Sequence, residues 1–266
     1  VGMFGISVKM RNIIQVFLRL VERDLYVVFP LLPSRIISVV CWSALYIYIF
    51  EYVGLGSYSG FGLFIAVSEC ATRGYTRFFP ALRIVADLQG DRSLYYYLTL
   101  PLPQWMVFAA LALSTSLELL AIYVWVLPVA KLVLWNSFHL SWLGCAKVAC
   151  VFICAQLFYG TWILFIASIP VASIEELSIK HYQYVQPFFW TGGYYFTWHL
   201  LYTKSHFFAY LLLANPLIYA TEGMRSAIFN NPESLPVWLC CLMLLIFTTV
   251  IGFIAVRRMM KKVDCL

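Results

Sequence analysis

The sequence predicts an all-α fold: a polytopic membrane protein with six transmembrane helices in a single domain spanning residues 1–266. Three observations predict it. Of the 266 residues, 63% are hydrophobic and only 11% are charged, less than half the roughly 25% usual in a soluble domain. The apolar residues are numerous enough to fill six spans of about 20 residues each. The basic residues are also sorted: with six spans and both termini inside, fourteen of the eighteen Lys and Arg fall on the inner side, as the excess of basic residues in cytoplasmic loops requires. Together these exclude a soluble enzyme, a disordered chain and a nucleic-acid-binding protein.

The elements follow in order. Over residues 9–29, Asn12, Gln15, Arg19, Glu22 and Arg23 recur at three-to-four spacing, with Ile13, Phe17, Leu20, Val21 and Leu25 on the other side. This pattern suits an interfacial helix with its basic face toward lipid headgroups, or one packed on a partner subunit. The first span runs from about Leu31 to Phe50, entered through Pro30 and Pro33, with Arg35 placed to snorkel. Gly54, Gly56, Ser57 and Gly60 make a short outer loop. In residues 61–82 an apolar half is followed by Glu69, Arg73 and Arg77 at four-residue intervals. On one helix these three share a face and pair in series. Charges inside a span are costly, so that face should meet the bundle interior, a wet cavity or the cytoplasmic boundary. Residues 61–82 read either as a second span or as a partly re-entrant segment.

Residues 83–103 are too polar to span, and a short helix along the cytoplasmic surface fits them: Arg83, Asp87, Gln89, Gly90, Asp91 and Arg92 precede Tyr95-Tyr96-Tyr97 and Pro101-Leu102-Pro103. A third span covers about Gln104 to Leu127 and carries one acid, Glu118; Pro128 to Ser141 reads as an outer loop. The fourth span covers about Trp142 to Pro170, long enough to tilt, and Ser173 to Lys180 returns as a cytoplasmic loop. The fifth begins near His181 and runs through Phe188 to Phe196. Residues 197–213 stay apolar but leave too little chain to cross and return, so 197–235 reads as an outer connection holding a re-entrant or interfacial hairpin. Such segments are allowed where protein buries their backbone. The last span is about Pro236 to Val256, closed by Arg257-Arg258.

The eight cysteines show no Cys-x-x-Cys pair and no zinc spacing with the four histidines. Cys150 and Cys154, one helical turn apart, read as small packing residues. The first ten residues lack the charged head, apolar core and small-residue cleavage site of a signal peptide. A phosphate-binding Gly-x-x-x-x-Gly-Lys-Ser/Thr loop, a His-Glu-x-x-His helix and a Gly-x-Ser-x-Gly elbow are all missing. The halves 1–140 and 141–266 show no inverted repeat in charge or Gly/Pro pattern, which disfavours a secondary transporter. Lone intramembrane acids such as Glu69 and Glu118 mark a transport path or a buried ion pair.

The order of parts resembles a family. An interfacial helix, two spans and a polar segment ending in Leu-Thr-Leu-Pro-Leu-Pro (98–103) are followed, before the last span, by Asn215-Pro216-Leu217-Ile218-Tyr219-Ala220-Thr221-Glu222-Gly223-Met224-Arg225. This is similar to the ABC-2 type permeases, membrane subunits of ATP-driven exporters of polysaccharides, lipo-oligosaccharides and some drugs. The chain departs from the pattern in two ways: Val67-Ser68-Glu69 stands where the family usually has Pro-Gly, and the Glu69/Arg73/Arg77 face is unusually charged for that span.

The resemblance implies a half-transporter in a bacterial inner membrane that pairs with a second copy of itself and with an ATP-binding cassette subunit. ATP and Mg would bind that partner, so this chain would carry no cofactor and no metal. By position, Asp87, Gly90, Asp91, Arg92 and Tyr95 would form the helix that couples to the ATPase. Asn215, Pro216, Tyr219, Glu222 and Arg225 would form the outer connection, where Glu222 and Arg225 either cap or pair locally or make an ordinary surface ion pair. Candidate path residues are Trp42, Tyr46, Glu69, Arg73, Arg77, Glu118, Phe189, Trp190, Tyr194 and Tyr195. Their aromatic members could stack on sugar rings; alternatively they belong to interfacial belts and lipid contacts. Efflux of a hydrophobic small molecule, a membrane-embedded transferase and an assembly scaffold are the alternatives.

Overall fold

A computed structural model describes residues 2–53, 60–90, 93–135, 141–171, 173–229 and 233–264. Among them helix follows helix and no strand occurs. The order is α1 (Gly2–Val28), α2 (Leu32–Tyr52), α3 (Phe61–Thr72), α4 (Phe79–Gln89), α5 (Ser93–Leu98), α6 (Gln104–Tyr123) and α7 (Val126–Val133). It continues with α8 (Trp142–Ala167), α9 (Ile174–Thr191), α10 (Trp198–Lys204), α11 (His206–Leu212), α12 (Pro216–Phe229) and α13 (Val237–Asp264).

Four helical runs are long and apolar enough to cross a membrane: Asn12–Tyr52, Gln104–Val133, Trp142–Ala167 and Val237–Val263. The first joins α1 to α2 through a single 3-10 turn, Phe29–Leu31, where Pro30 and Pro33 sit in first-turn positions that need no N–H. α3 is equally apolar but has only 12 residues, about 18 Å of helix.

Local chemistry sets the boundaries. Gly60 takes the left-handed conformation, φ +93°, ahead of α3, and the Glu51 carboxylate accepts the amides of Gly60 (3.3 Å) and Gly62 (2.8 Å) there. An anion at a helix N-terminus satisfies orphan donors and meets the positive end of the dipole. Ser141, Ser173 and Thr197 start α8, α9 and α10 by accepting the amides of Gly144, Glu176 and Leu200, as N-cap hydroxyls do.

α8 is the hub, packed against α6, α13, α12 and α4. Gly160 permits its approach to α6: a Cβ there would lie 2.0 Å from Ser116 Oγ and 2.3 Å from the Ala112 carbonyl. Small residues at such crossings replace the hydrophobic drive that lipid removes. α1 runs along α6, α2 contacts α3 and α7, and α12 is held among α3, α8 and α13.

Several boundaries differ from the sequence reading. α3 stops at Thr72 and a turn follows, so Glu69, Arg73 and Arg77 do not share one helix face; Gly74 and the helix start at Phe79-Pro80 break it. The polar stretch after it holds two helices, α4 and α5, in place of one. The helical run from Gln104 reaches Val133, so the segment expected to be loop from Pro128 is helical over its first half. α9 begins at Ile174, ahead of His181, because Ser173 caps it, and it ends at Thr191 before the Gly192-Gly193 pair. Most of the segment expected to be an outer loop around Gly54, together with Asp91, Arg92 and the side chain of Tyr95, lies outside the described residues.

Candidate functional site

The site is built outward from α12. Every residue from Asn215 to Arg225 is buried, which corrects the surface ion pair considered for Glu222 and Arg225. Their side chains are 0% and 2% exposed and 3.1 Å apart. One turn of helix brings the two charges together; burial against α3 and the 192–197 turn makes the pair consequential.

Arg225 works as a clamp. Its Nη1 donates to the Phe196 carbonyl (2.8 Å) as well as to Glu222 Oε1. Its Nη2 faces Ser68 Oγ (2.7 Å) and the carbonyls of Gly193 (2.6 Å) and Tyr194 (3.2 Å). The guanidinium lies 3.9 Å from the centroid of the Phe64 ring, a desolvated cation–π contact. Glu222 Oε1 also accepts the Trp198 amide at 3.0 Å. Asn215 Nδ2 donates to the Phe188 carbonyl (2.7 Å), while Thr221 Oγ1 donates to that of Gly192 (3.0 Å). The irregular backbone between α9 and α10 thus has its carbonyls satisfied by α12 side chains. Gly193 sits there at φ +74°, and a Cβ would fall 2.9 Å from Thr221 Oγ1, so close approach and backbone conformation both require glycine.

α3 passes the network onward. Ser68, which receives Arg225, precedes Glu69, whose Oε1 accepts from Arg73 Nη2 (2.9 Å) and whose Oε2 accepts from Arg73 Nε. Tyr194 donates its hydroxyl to Glu69 Oε1. Glu69 and Tyr194 are buried, so Tyr194 acts here as a hydrogen-bond donor inside the core, with its ring 5.1 Å from that of Phe189. Trp190 and Tyr195 stack on one another at 5.5 Å with exposed faces.

Arg73 then faces a cavity of about 520 Å³ between α2, the turn after α3, and α9. Trp42, Arg73, Arg77, Tyr123, His181 and Gln186 are among its lining residues, and no acidic side chain lines it. Arg73 stands 5.1 Å from the Tyr46 ring and Arg77 5.9 Å from that of Tyr123. Glu69 neutralises Arg73; Arg77 has no salt bridge among the described residues. The cavity therefore offers aromatic faces, hydrogen-bonding groups and one cation whose charge is not balanced by an acid. Such a site accepts a polar or anionic molecule with a stackable face.

Glu118 lies elsewhere. It is buried on α6 and takes Arg35 from α2 on Oε1 and Arg83 from α4 at 3.5 Å on Oε2. Asp87 accepts the Leu94 amide at 2.8 Å and so caps α5; Gly90 is exposed between α4 and α5. The residues singled out from sequence thus fall into three groups. Trp42, Tyr46, Glu69, Arg73, Arg77 and Tyr194 converge at the cavity and its rear wall. Asn215, Glu222 and Arg225 brace the turn behind it, with Pro216 starting α12 and Tyr219 bonding the Leu213 carbonyl. Phe189 and Tyr195 adjoin the first group through the Tyr194 ring, at 5.1 Å and 4.5 Å, with Trp190 stacked on Tyr195, and Glu118 stands apart.

Sequence reasoning missed Glu51, Ser68, Thr221 and Arg83 as partners, and Cys241. The sulfurs of Cys150, Cys154 and Cys241 lie within 4.8 Å of one another, a trio chemically able to hold a thiophilic metal. The Cys150–Cys154 spacing hinted at half of it; the third thiol arrives from α13. No family model, curated protein or solved structure matches the chain.

Proposed function

We propose that this chain is the permease subunit of an ATP-driven ABC-2 type exporter that moves a glycan, glycolipid or other amphipathic substrate out across a bacterial inner membrane. The cavity between α2 and α9 is the observation that carries this reading. Aromatic rings suit sugar faces, and the cationic lining suits phosphate or carboxylate groups on such a substrate.

In this reading six spans cross the membrane, with both termini cytoplasmic. α3, the turn that carries Arg73 and Arg77, and the start of α4 together form the second span, residues 61–82, and the rest of α4 leads out of it. α9 forms the fifth. α10 and α11, which pack on each other, form the outer re-entrant hairpin. The buried clamp on residues 192–197 supports this, because irregular backbone at membrane depth is tolerated only where protein satisfies it. α5 and the residues before it meet the ATP-binding subunit, which holds ATP and Mg, and a second copy of the chain completes the path.

Co-purification in mild detergent tests the assignment. A protein carrying a nucleotide-binding phosphate loop is expected to accompany the chain, and its consistent absence would overturn the exporter reading. For the substrate, Trp42→Ala with Arg77→Gln is expected to abolish export of a surface glycan while leaving the chain folded. One observation favours drug efflux instead: a cavity of about 500 Å³ bounded by Leu25, Tyr26, Phe29 and Leu117 is almost wholly apolar. Unchanged surface glycan with lost drug resistance would select that alternative.

A further inference from the structure

A third cavity, of about 1030 Å³, lies at the far end of α8, where α9 begins and α13 ends. Lys180, Arg258, Lys261 and Lys262 line it together, and no acidic side chain does. Two of these side chains are tethered to main chain: Lys262 Nζ donates to the carbonyls of Ala167 (3.0 Å) and Ile169 (3.2 Å). Lys180 Nζ donates to the Pro170 carbonyl at 2.9 Å and pairs with Glu176 at 2.7 Å. Arg258 rests 5.0 Å from the centroid of the Phe165 ring. Below the cations the wall is aromatic, with Trp162, Tyr184 and Phe188. Trp162 is buried, and its indole N–H has no partner among the described residues.

A basic rim over an apolar floor, at the ends of two helices able to cross a membrane, matches one molecule in both parts. We infer that this cavity holds an anionic phospholipid of the adjacent leaflet, its phosphate among Arg258, Lys261 and Lys262 and its acyl chain along Phe165, Tyr184 and Phe188. Charge complementarity selects the headgroup: each Lys or Arg near an anionic surface adds attraction, and basic pockets between spans bind acidic lipid heads. A zwitterionic head would leave the cations unbalanced. The inference requires membrane insertion and is independent of what the chain transports.

Native mass spectrometry of the full chain tests it, with phosphatidylglycerol and phosphatidylcholine of identical acyl chains, and inorganic phosphate as a third probe. The wild-type chain is expected to retain phosphatidylglycerol well above phosphatidylcholine, and phosphate is expected not to displace it. Arg258→Gln with Lys261→Gln should weaken phosphatidylglycerol binding by about fivefold or more. Arg257→Gln with Lys204→Gln removes the same charge away from the cavity and should leave binding unchanged. Equal retention of the two lipids by the wild-type chain would overturn the proposal without any variant. So would an equal loss from the control pair, or full displacement by phosphate. A chain that inserts into vesicles yet shows no headgroup preference would remove the lipid site and leave the membrane reading intact.

Discussion

Two buried acids organise this molecule, and they do so differently. Glu222 meets Arg225 from the same helix, and both are essentially inaccessible. Glu118 meets Arg35 and Arg83 from two other helices, and those arginines are 24% and 42% exposed. The first arrangement is closed: its cation also satisfies the carbonyls of Gly193, Tyr194 and Phe196, so charge, turn and helix form one unit. The second is open, a tie between α2, α4 and α6 whose cations are partly exposed. A closed pair fixes a shape. An open one can be remade.

The largest expected effect comes from breaking the closed unit. Arg225→Met leaves Glu222 buried without its cation and at least three carbonyls without a donor. Removing one partner of a buried pair costs about 3–5 kcal/mol. We expect a large drop in thermal midpoint in detergent, or loss of folded protein. The double variant Arg225→Met with Glu222→Met should recover part of the loss, since two apolar groups leave no stranded charge. Failure of the double variant to recover anything would assign the cost to the turn carbonyls, not to the pair.

Glu69 lies between the extremes, buried itself but bonded to a half-exposed Arg73. Charge-assisted hydrogen bonds contribute about 1.5–3 kcal/mol each, and Glu69→Gln weakens three of them, two from Arg73 and one from Tyr194, while retaining shape. An intermediate loss of stability is expected. Tyr194→Phe, which removes only the hydroxyl donor, should cost less than Glu69→Gln; the reverse order would show that Tyr194 anchors the turn more than it serves Glu69.

The comparison also shows what a sequence can disclose. The Glu222/Arg225 and Glu69/Arg73 pairs were visible because three- and four-residue spacing puts side chains on one helical face. Their depth was not visible: nothing local distinguishes a wholly buried i, i+3 pair from a surface one, and the acceptors on residues 193–196 come from a turn some thirty residues away. Arg35, Arg83 and Glu118 each stand out singly in the sequence, but their meeting depends on how three helices cross. The long apolar runs were legible from composition and period alone. The break after Thr72 was not, because the helical spacing of Glu69, Arg73 and Arg77 continues through a turn.

The open tie should respond weakly in stability and more in salt. Glu118→Gln removes the charge that Arg35 and Arg83 share, but both arginines are partly exposed and the amide still offers them an acceptor. A small fall in thermal midpoint is therefore expected, well below that of Arg225→Met. Because Arg83 is the more exposed partner, raising ionic strength should narrow the difference between wild type and Glu118→Gln as screening weakens its share. The difference for Arg225→Met should be insensitive to salt. If both variants lose the same stability and neither responds to salt, the two acids are equivalent and the distinction between a closed clamp and an open tie fails.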